Sequence, residues 1–297
     1  MVGSIRGRSW LPPVIAVVLA LLLAACGGST GGAGGGAAGG GGGEQSLAAK
    51  LPDRIKASKT IKVGSDISYP PVEFFKKGTQ QVQGIDFDLA DAMGKKLGVK
   101  FTFQNGTFDG LIPALKSKRF DVIMSAMSDT AKRQKDVDFV DYFTVGTSIL
   151  VKKGNPNHIQ SLDDLCGKTI ALQRGTTQQD VAEGQQKKCG SKKINILLFN
   201  TDTEAILQVK NGRAVADMND FPVAAFTAQQ DPSFEVVGQQ IEAGPYGIAV
   251  RKDDTQLRDA LQAAMQAIIA DGTYKQVLDK WQVGKGAVST AGINTGQ

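Results

Sequence analysis

The sequence is poor in the residues that most catalytic and metal sites require. It has one histidine, His158, and three cysteines among 297 residues. A single histidine excludes a metal site built from several histidines, and any Ser-His-Asp or Cys-His arrangement would depend on His158 alone. Lysine and arginine (34) only slightly outnumber aspartate and glutamate (29), and no basic block is long enough for a nucleic-acid patch. We therefore expect no metal, no cofactor and no nucleic-acid partner.

The start of the chain has the pattern of an export signal. The apolar run Leu11–Ala24 follows Arg6 and Arg8 and is too short to span a bilayer comfortably. It ends in the sequence Leu-Ala-Ala-Cys, which resembles the bacterial lipobox, where the cysteine is lipidated and becomes the mature N-terminus. We predict a signal peptide over residues 1–25 and lipidation of Cys26. The alternative is an ordinary signal peptide with a chance cysteine.

Residues 26–47 are predicted to form a flexible tether, because Gly27–Gly43 is almost entirely glycine and alanine. A Gly-rich coil of this length spans roughly 25–30 Å r.m.s.. No later segment is apolar enough to cross a bilayer, so an acyl chain would be the only membrane attachment. These features predict an extracytoplasmic protein with a lipid anchor at the cell membrane.

The two remaining cysteines, Cys166 and Cys189, are predicted to form a disulfide, because exported proteins with one such pair usually do. Closing this loop should contribute about 3 kcal/mol in the chain-entropy model. The alternative is a pair of reduced, buried thiols.

Strand and helix patterns alternate from Thr60 onward. The predicted strands are Ile61–Val63, Val72–Phe75, Gln81–Gln83, Val99–Phe103, Val122–Met124, Ser148–Lys152, Thr169–Leu172, Ile194–Phe199, Ala214–Met218 and Tyr246–Val250. One predicted helix has Asp86 as its N-cap and Gly98 as its stop. Four other helices are predicted over Asp109–Lys118, Glu204–Lys210, Leu257–Ile268 and Tyr274–Trp281. This alternation predicts an α/β protein with parallel sheets, which bind ligands at the carboxyl ends of their strands.

A series of short motifs is spread along this pattern. They are Ser65–Pro71, Gly84–Leu89 with Met93, Gly94 and Leu97, Phe108–Leu115, Ser125–Arg133, Gly175–Thr177, Asp220 and Asp271–Tyr274. In this order they resemble the family 3 solute-binding proteins, which are the polar amino-acid receptors of ABC importers. The resemblance extends from about Ile61 to Trp281.

The resemblance implies the fold of a type II periplasmic binding protein: two doubly wound α/β lobes, joined by two crossing strands, with a ligand cleft between them. Lobe 1 would comprise residues 48–144 and 245–289, lobe 2 residues 145–244, and the C-terminal tail residues 290–297. The crossings would lie near Tyr142–Gly146 and Ile241–Tyr246. The resemblance also implies a monomer without enzymatic activity that docks on an ABC permease and its ATPase subunits.

The resemblance further assigns residues to the two charges of a free amino acid, which a dry cleft must pair. Arg133 matches the family arginine, whose guanidinium binds both oxygens of a carboxylate. Backbone N–H groups of Thr176 and Thr177, at the start of a predicted helix, would be the second carboxylate partner. Asp220 matches the family aspartate that pairs the ammonium.

Four more residues would surround the ligand backbone and its aliphatic stem. Ser128 can accept from the ammonium and donate to the carboxylate, and the backbone carbonyl of Ala126 would complete the ammonium site. Tyr69 and Phe108 match the aromatic walls of the family site. Taken singly, each of these residues is also compatible with a structural role, such as a turn serine or a core aromatic.

The ligand side chain would meet Asp66, Gln173, Gln178, Arg174 and Glu73. Asp66 matches a family acid that pairs cationic or amide side chains, and Gln173 offers an uncharged donor and acceptor. Arg174, if it faced inward, would repel a cation and favour glutamate. The expected ligand is therefore a basic amino acid or glutamine, with glutamate as an open possibility.

Two functions from other classes remain open at this point. The same fold includes exported cyclohexadienyl dehydratases, which need a positioned acid such as Glu73 or Asp66. A sensory domain for a partner kinase is the other, although no second membrane segment supports it.

Overall fold

The structure is a computed structural model, and it describes residues 47–297. The predicted signal peptide, Cys26 and all but the last residue of the predicted tether lie outside the described residues. Within residues 47–297, no helix is both long enough and apolar enough to cross a membrane.

Eleven strands and eight α-helices are described. The strands are β1 (Thr60–Ser65), β2 (Ser68–Tyr69), β3 (Glu73–Phe75), β4 (Val82–Gln83), β5 (Lys100–Asn105), β6 (Val122–Ile123), β7 (Val137–Lys152), β8 (Thr169–Gln173), β9 (Asn195–Phe199), β10 (Ala216–Asp220) and β11 (Phe234–Arg251). The helices are α1 (Asp53–Ser58), α2 (Ile85–Leu97), α3 (Leu111–Lys116), α4 (Thr177–Lys188), α5 (Asp202–Lys210), α6 (Phe221–Gln230), α7 (Thr255–Ala270) and α8 (Thr273–Lys280).

Eight strands form one continuous sheet in the order β5-β1-β6-β11-β7-β10-β8-β9. At one end β5, β1 and β6 are parallel, and at the other end β10, β8 and β9 are parallel. The antiparallel pair β7 and β11 lies between them, with β11 beside β6 and β7 beside β10. Two α/β units joined by two long central strands are the architecture of a type II periplasmic binding protein.

The two central strands are longer than the sequence pattern indicated. β7 has 16 residues and β11 has 18, whereas the pattern predicted only short strands at Ser148–Lys152 and Tyr246–Val250. The predicted crossing segments lie in the middle of these strands. The register between β7 and β11 shifts there, on either side of Ile241 and up to Gly244. Such irregular pairing is where a sheet can bend without loss of the flanking ladders.

The apolar core separates on the two sides of these crossings. Helices α2 and α7 cover one end of the sheet with fully buried side chains such as Leu89, Met93 and Leu261. Apolar side chains of β8, α4 and α5 form separate clusters at the other end, around residues such as Leu172 and Val209. Two cores joined by a thin pair of strands allow the two units to move relative to each other.

Cys166 and Cys189 form a disulfide, with their Cα atoms 5.4 Å apart. The bond joins the segment before β8 to the end of α4. The last residues of the chain pack on the first part of β7. The Asn294 side chain accepts a hydrogen bond from the Phe139 N–H, and the Thr295 hydroxyl donates one to Asp141.

Several local features differ from the sequence-based prediction, and neither α1 nor β2 was predicted. Helix α2 begins after Gly84, and Asp86 is not its N-cap, because the Asp86 carboxyl is buried beneath the helix start and accepts bonds from elsewhere. Helix α6 was not predicted, although Pro222 in its first turn is a typical helix-start signal.

Candidate functional site

One cavity lies between the two α/β units, which we call the two halves of the protein. It is located where the carboxyl ends of their strands meet. Its free volume is about 10 Å³, about the space of one water molecule. All ten ligand-binding residues predicted from the sequence line it: Asp66, Tyr69, Phe108, Ala126, Ser128, Arg133, Gln173, Thr176, Thr177 and Asp220. Glu73, Ser125 and Gln178 complete the lining.

The strands explain why these residues converge. Asp66 follows β1, Ser125 follows β6, Gln173 ends β8 and Asp220 ends β10. The carboxyl ends of neighbouring parallel strands lie at one edge of a sheet, so residues from distant parts of the sequence meet there.

Arg133 provides the positive charge at one side of the cavity. Its Nη1 donates to the Ser128 carbonyl at 2.7 Å and its Nη2 to the Gly175 carbonyl at 3.1 Å. Its guanidinium carbon lies 5.3 Å from the centre of the Phe108 ring. Burial lowers the pKa of Arg133 to about 10, so the guanidinium stays charged at neutral pH. The two carbonyls and the ring hold the guanidinium plane in place for an anionic partner.

Helix α4 begins beside this arginine. Thr176 is its N-cap, and the Thr176 hydroxyl accepts from the Gln179 N–H at 3.2 Å. The first N–H groups of a helix have no acceptor within the helix and carry partial positive charge. The helix start and Arg133 together form a site that suits a carboxylate.

Asp220 provides a negative charge on the opposite half of the protein. It occupies the N-cap position of α6 but makes no capping bond with its side chain. Instead, its carboxyl accepts from the Tyr69 hydroxyl at 3.0 Å and from Gln178 Nε2 at 2.9 Å. Burial raises the pKa of Asp220 to about 6, while these hydrogen bonds and Arg133 oppose the rise. The side chain is therefore an anion at neutral pH that faces the cavity.

A second group of acids lies elsewhere in the lining. Asp66 is 4% exposed and accepts from Gln173 Nε2 at 2.5 Å and from the Ser68 hydroxyl at 2.7 Å. Ser125 connects this acid to the next one, because its hydroxyl accepts from the Asp66 N–H at 2.9 Å and donates to Glu73 at 3.0 Å. Burial raises the pKa of Asp66. The Asp66–Gln173 bond joins the two halves of the protein.

The loop after β6 is held by a hydrogen bond to the buried carboxyl of Asp86. Ala126 has a left-handed backbone with φ of 45°, which is unfavourable for a residue with a Cβ. Its N–H donates to Asp86 at 3.1 Å, and the other Asp86 oxygen accepts from the Tyr142 hydroxyl at 2.6 Å. Asp86 therefore fixes the loop that brings Ser125, Ala126 and Ser128 to the cavity.

Contacts at the rim bring the two halves together. Lys132 pairs with Asp180 at 2.9 Å, and the Thr203 hydroxyl donates to the Ser68 carbonyl at 3.1 Å. Gly175 has φ of 79°, and a Cβ placed on it would lie 2.8 Å from the Asp109 Cβ. Glycine at this position permits the close approach of the two halves over the cavity.

The structure corrects one candidate side-chain contact. Arg174 is exposed and does not line the cavity, because the backbone of this residue continues the pairing with β9 through a bond to Phe199 and turns the side chain outward. His158 is also exposed and away from the cavity. Among residues 47–297, no group of three or more His, Cys, Asp or Glu side chains is arranged to hold a metal ion.

Ser125 is the lining residue that the sequence analysis did not single out. It lies within the motif Ser125–Arg133, but nothing in the local sequence distinguishes it from Ser128. Its role depends on Asp66 and Glu73, which reach it from other strands.

Two α/β halves that meet over a cavity lined by charges of both signs define a ligand-binding protein of the periplasmic type. Residues 61–285 match the family described as bacterial extracellular solute-binding proteins, family 3. The chain belongs to this family.

Similar proteins include both curated relatives and solved structures. A putative ABC transporter arginine-binding protein 2 of Escherichia coli K12 is 32% identical over 230 residues, which cover 76% of this chain and 91% of that protein. An ancestral arginine-binding protein bound to arginine has a TM-score of 0.71 and 38% identity, covering 75% of this chain and 98% of the other.

The ancestral amino acid-binding protein AncCDT-1, described as a precursor of cyclohexadienyl dehydratase, has a TM-score of 0.71 and 39% identity, covering 77% and 98%. All three proteins are named as binding proteins.

Proposed function

We propose that this protein is the extracytoplasmic receptor of an ABC importer and that it binds a basic amino acid, with arginine as the preferred ligand. The observation that carries the proposal is the charge arrangement of one small cavity. It contains one cation, Arg133, among its lining residues, and the carboxyls of Asp66, Glu73 and Asp220.

The ligand backbone would use the charges of both halves. Its carboxylate would bind the Arg133 guanidinium and the first N–H groups of α4. Its ammonium would bind Asp220, with the Ser128 hydroxyl and the Ala126 carbonyl as neutral acceptors. Pairing both charges offsets the free-energy cost of removing them from water when the two halves close.

The side chain of the ligand would then reach Asp66, Glu73 and Gln173. Two acids and an amide, without a neighbouring cation, favour a positively charged side chain. Glutamate would place a third carboxyl beside Asp66 and Glu73, and Arg174 is turned away from it. Glutamine can hydrogen-bond to the same groups and is the expected second ligand. The arginine-binding names of similar proteins support this order of preference.

Binding would couple directly to closure. The Asp66–Gln173 bond and the Lys132–Asp180 pair join the two halves, and a ligand held by both halves adds to them. Ligand affinity and the fraction of closed protein are then linked, and the closed form would be the one that docks on the permease.

The protein would be anchored by a lipid at Cys26 and would act as a monomer. The lipobox-like sequence and the Gly-rich segment after it support the anchor. Cys26→Ala should release the protein from membranes into the soluble fraction, since a Gly-rich tether has no membrane affinity of its own. Retention of the full amount of this variant in the membrane pellet would contradict the anchor.

We propose binding without chemical conversion of the ligand. Two of the similar proteins are named as arginine-binding proteins, which supports binding alone. The acids that a dehydratase would need, Asp66 and Glu73, are nevertheless present in the lining. AncCDT-1 is named an amino acid-binding protein but also a precursor of cyclohexadienyl dehydratase. Dehydratase activity is therefore the activity that an assay should test. Incubation with prephenate or arogenate should yield neither phenylpyruvate nor phenylalanine.

A thermal-shift screen of the purified protein against the twenty amino acids, ornithine and citrulline tests the function. Arginine should raise the melting temperature most, followed by lysine and ornithine, with a smaller shift for glutamine. Only ligands of the folded state stabilise it, by an amount that grows with concentration over Kd. A largest shift with glutamate or with an apolar amino acid would refute the proposed ligand class.

A further inference from the structure

Two buried carboxyls, those of Glu73 and Asp86, lie side by side at the base of the cavity. Glu73 is in β3 and Asp86 is in α2, and the two side chains are 1% and 0% exposed. They bind adjacent residues of one loop, because Glu73 accepts from the Ser125 hydroxyl and Asp86 accepts from the Ala126 N–H. Each carboxyl also affects the pKa of the other. Only Glu73 lines the cavity, so the pair connects the ligand space to the interior. We refer to these two residues as the carboxyl pair.

The two members of the carboxyl pair accept different numbers of hydrogen bonds. Asp86 accepts two hydrogen bonds, from the Tyr142 hydroxyl and the Ala126 N–H, which stabilise its ionised form. Glu73 accepts one hydrogen bond on Oε1, from Ser125, while its Oε2 accepts none from any described donor. A carboxyl oxygen without a donor beside a second carboxyl is the arrangement of a group that carries the shared proton.

No cation offsets the carboxyl pair within the described part of the chain. The ionisable groups that face it are Asp66 from the loop after β1, across Ser125, and Tyr142 from β7. Tyr274 of α8 lies behind Tyr142 and donates to its carbonyl at 2.7 Å. Burial, with Asp86 next, raises the pKa of Glu73 well above its ordinary value, and burial raises that of Asp86 to about 6. All of these groups are anionic or neutral. A positive charge that favours ionisation of the carboxyl pair would therefore have to come from the ligand.

We propose that the carboxyl pair holds one proton in the ligand-free protein, releases it when a cationic amino-acid side chain binds, and keeps it when an uncharged amide binds. This inference rests on the proposed function and adds a specificity mechanism to it. With arginine, ionised Glu73 would pair the guanidinium. With glutamine, protonated Glu73 would keep its proton and donate a hydrogen bond to the amide oxygen.

The mechanism makes ligand preference depend on pH. Release of one proton on binding makes arginine affinity rise by about tenfold per pH unit while the carboxyl pair stays protonated in the free protein. Glutamine binding would be insensitive to the same change. Acidic conditions therefore shift the preference toward glutamine, and neutral to alkaline conditions shift it toward arginine.

Calorimetric titration in two buffers with different ionisation enthalpies, phosphate and Tris at pH 7, measures the proton count directly. We expect about one proton released per arginine and none per glutamine. Arginine binding without proton release would overturn this inference and leave the proposed function intact. No arginine binding at all would refute the proposed function as well.

Variants identify the group that releases the proton. Glu73→Gln should abolish the release and weaken arginine binding by about tenfold or more, with glutamine binding changed by less than about threefold. Asp66→Asn is the matched control, since it removes the neighbouring acid and should leave the release in place for whatever arginine still binds. Release that persists in Glu73→Gln and disappears in Asp66→Asn would overturn the assignment. The wild-type proton counts decide the question even if Glu73→Gln does not fold.

Discussion

Asp66→Asn is the substitution that separates the possible ligands most clearly. The Asp66 side chain is buried and accepts from Gln173 on one oxygen and from Ser68 on the other. Asparagine has the same shape and keeps one acceptor, while its new amide group faces the Gln173 donor. The substitution therefore removes a negative charge with little change in volume, and the closed form loses part of one contact between the halves.

The expected size of the effect differs for each ligand. A buried guanidinium that loses a charged partner costs about 3–5 kcal/mol, a loss of about two to three or more decades in arginine affinity. Glutamine exchanges one hydrogen-bond partner for another and should lose about 1–2 kcal/mol. Glutamate should bind as before or better, because a repelling carboxylate has been removed.

Isothermal titration of the wild type and of Asp66→Asn with arginine, glutamine and glutamate measures these differences. A thermal melt of each protein without ligand controls for folding. Unchanged arginine affinity in a folded variant would show that Asp66 does not meet the ligand side chain. Improved glutamate binding in the variant, with no arginine binding in the wild type, would refute the basic-ligand proposal.

Further predictions concern the carboxylate-binding arginine, closure, the disulfide and pH. Arg133→Ala should lower arginine affinity by about two decades or more, because the ligand carboxylate loses its charged partner; near-normal calorimetric affinity would remove Arg133 from the site. Gly175→Ala should weaken binding and reduce closure in small-angle scattering with arginine, since the new Cβ meets Asp109, and wild-type compaction would contradict this. Reducing the disulfide should lower stability by about 3 kcal/mol in denaturant unfolding, whereas two freely alkylated cysteines in the untreated protein would show that it does not form. Burial raises the pKa of Asp202 to about 8 and raises the pKa of Asp217 well above its ordinary value. The folded state therefore holds more protons than the unfolded state between about pH 4 and 8, and stability should fall as pH rises through this range. The wild type should melt at a lower temperature at pH 8.5 than at pH 6, and Asp217→Asn should make this difference smaller. Equal melting temperatures of the wild type at the two pH values, or a higher one at pH 8.5, would contradict the predicted direction.

Local sequence signals were sufficient for several of the short elements of the fold, although not for α1, β2 or α6. Gly98, the predicted stop of the first long helix, is the C-cap of α2 with φ of 64°. The lengths of β7 and β11 could not be predicted in the same way. Their central residues pair with each other across about a hundred positions of sequence, and only that long-range pairing keeps them extended.

The candidate site was predictable where residue type and strand end coincide. Asp66 and Asp220 each end or follow a strand, and the structure brings both to the cavity. Asp86 shows the limit of this reasoning, because an aspartate at a helix start is usually a cap. Its actual role is set by Tyr142 and by Ala126, both distant in sequence. Arg174 could not be oriented from the sequence, because neighbouring strand residues point in opposite directions.

The most direct test of the account compares arginine with citrulline by calorimetry on the purified wild-type protein. The two ligands have nearly the same size and shape, but citrulline carries a neutral urea group in place of the guanidinium. The account predicts one arginine bound per chain and a citrulline affinity weaker by about a hundredfold or more, because Asp66 and Glu73 would pair only the charged ligand. Equal affinities for the two ligands, or no binding of arginine, would contradict it.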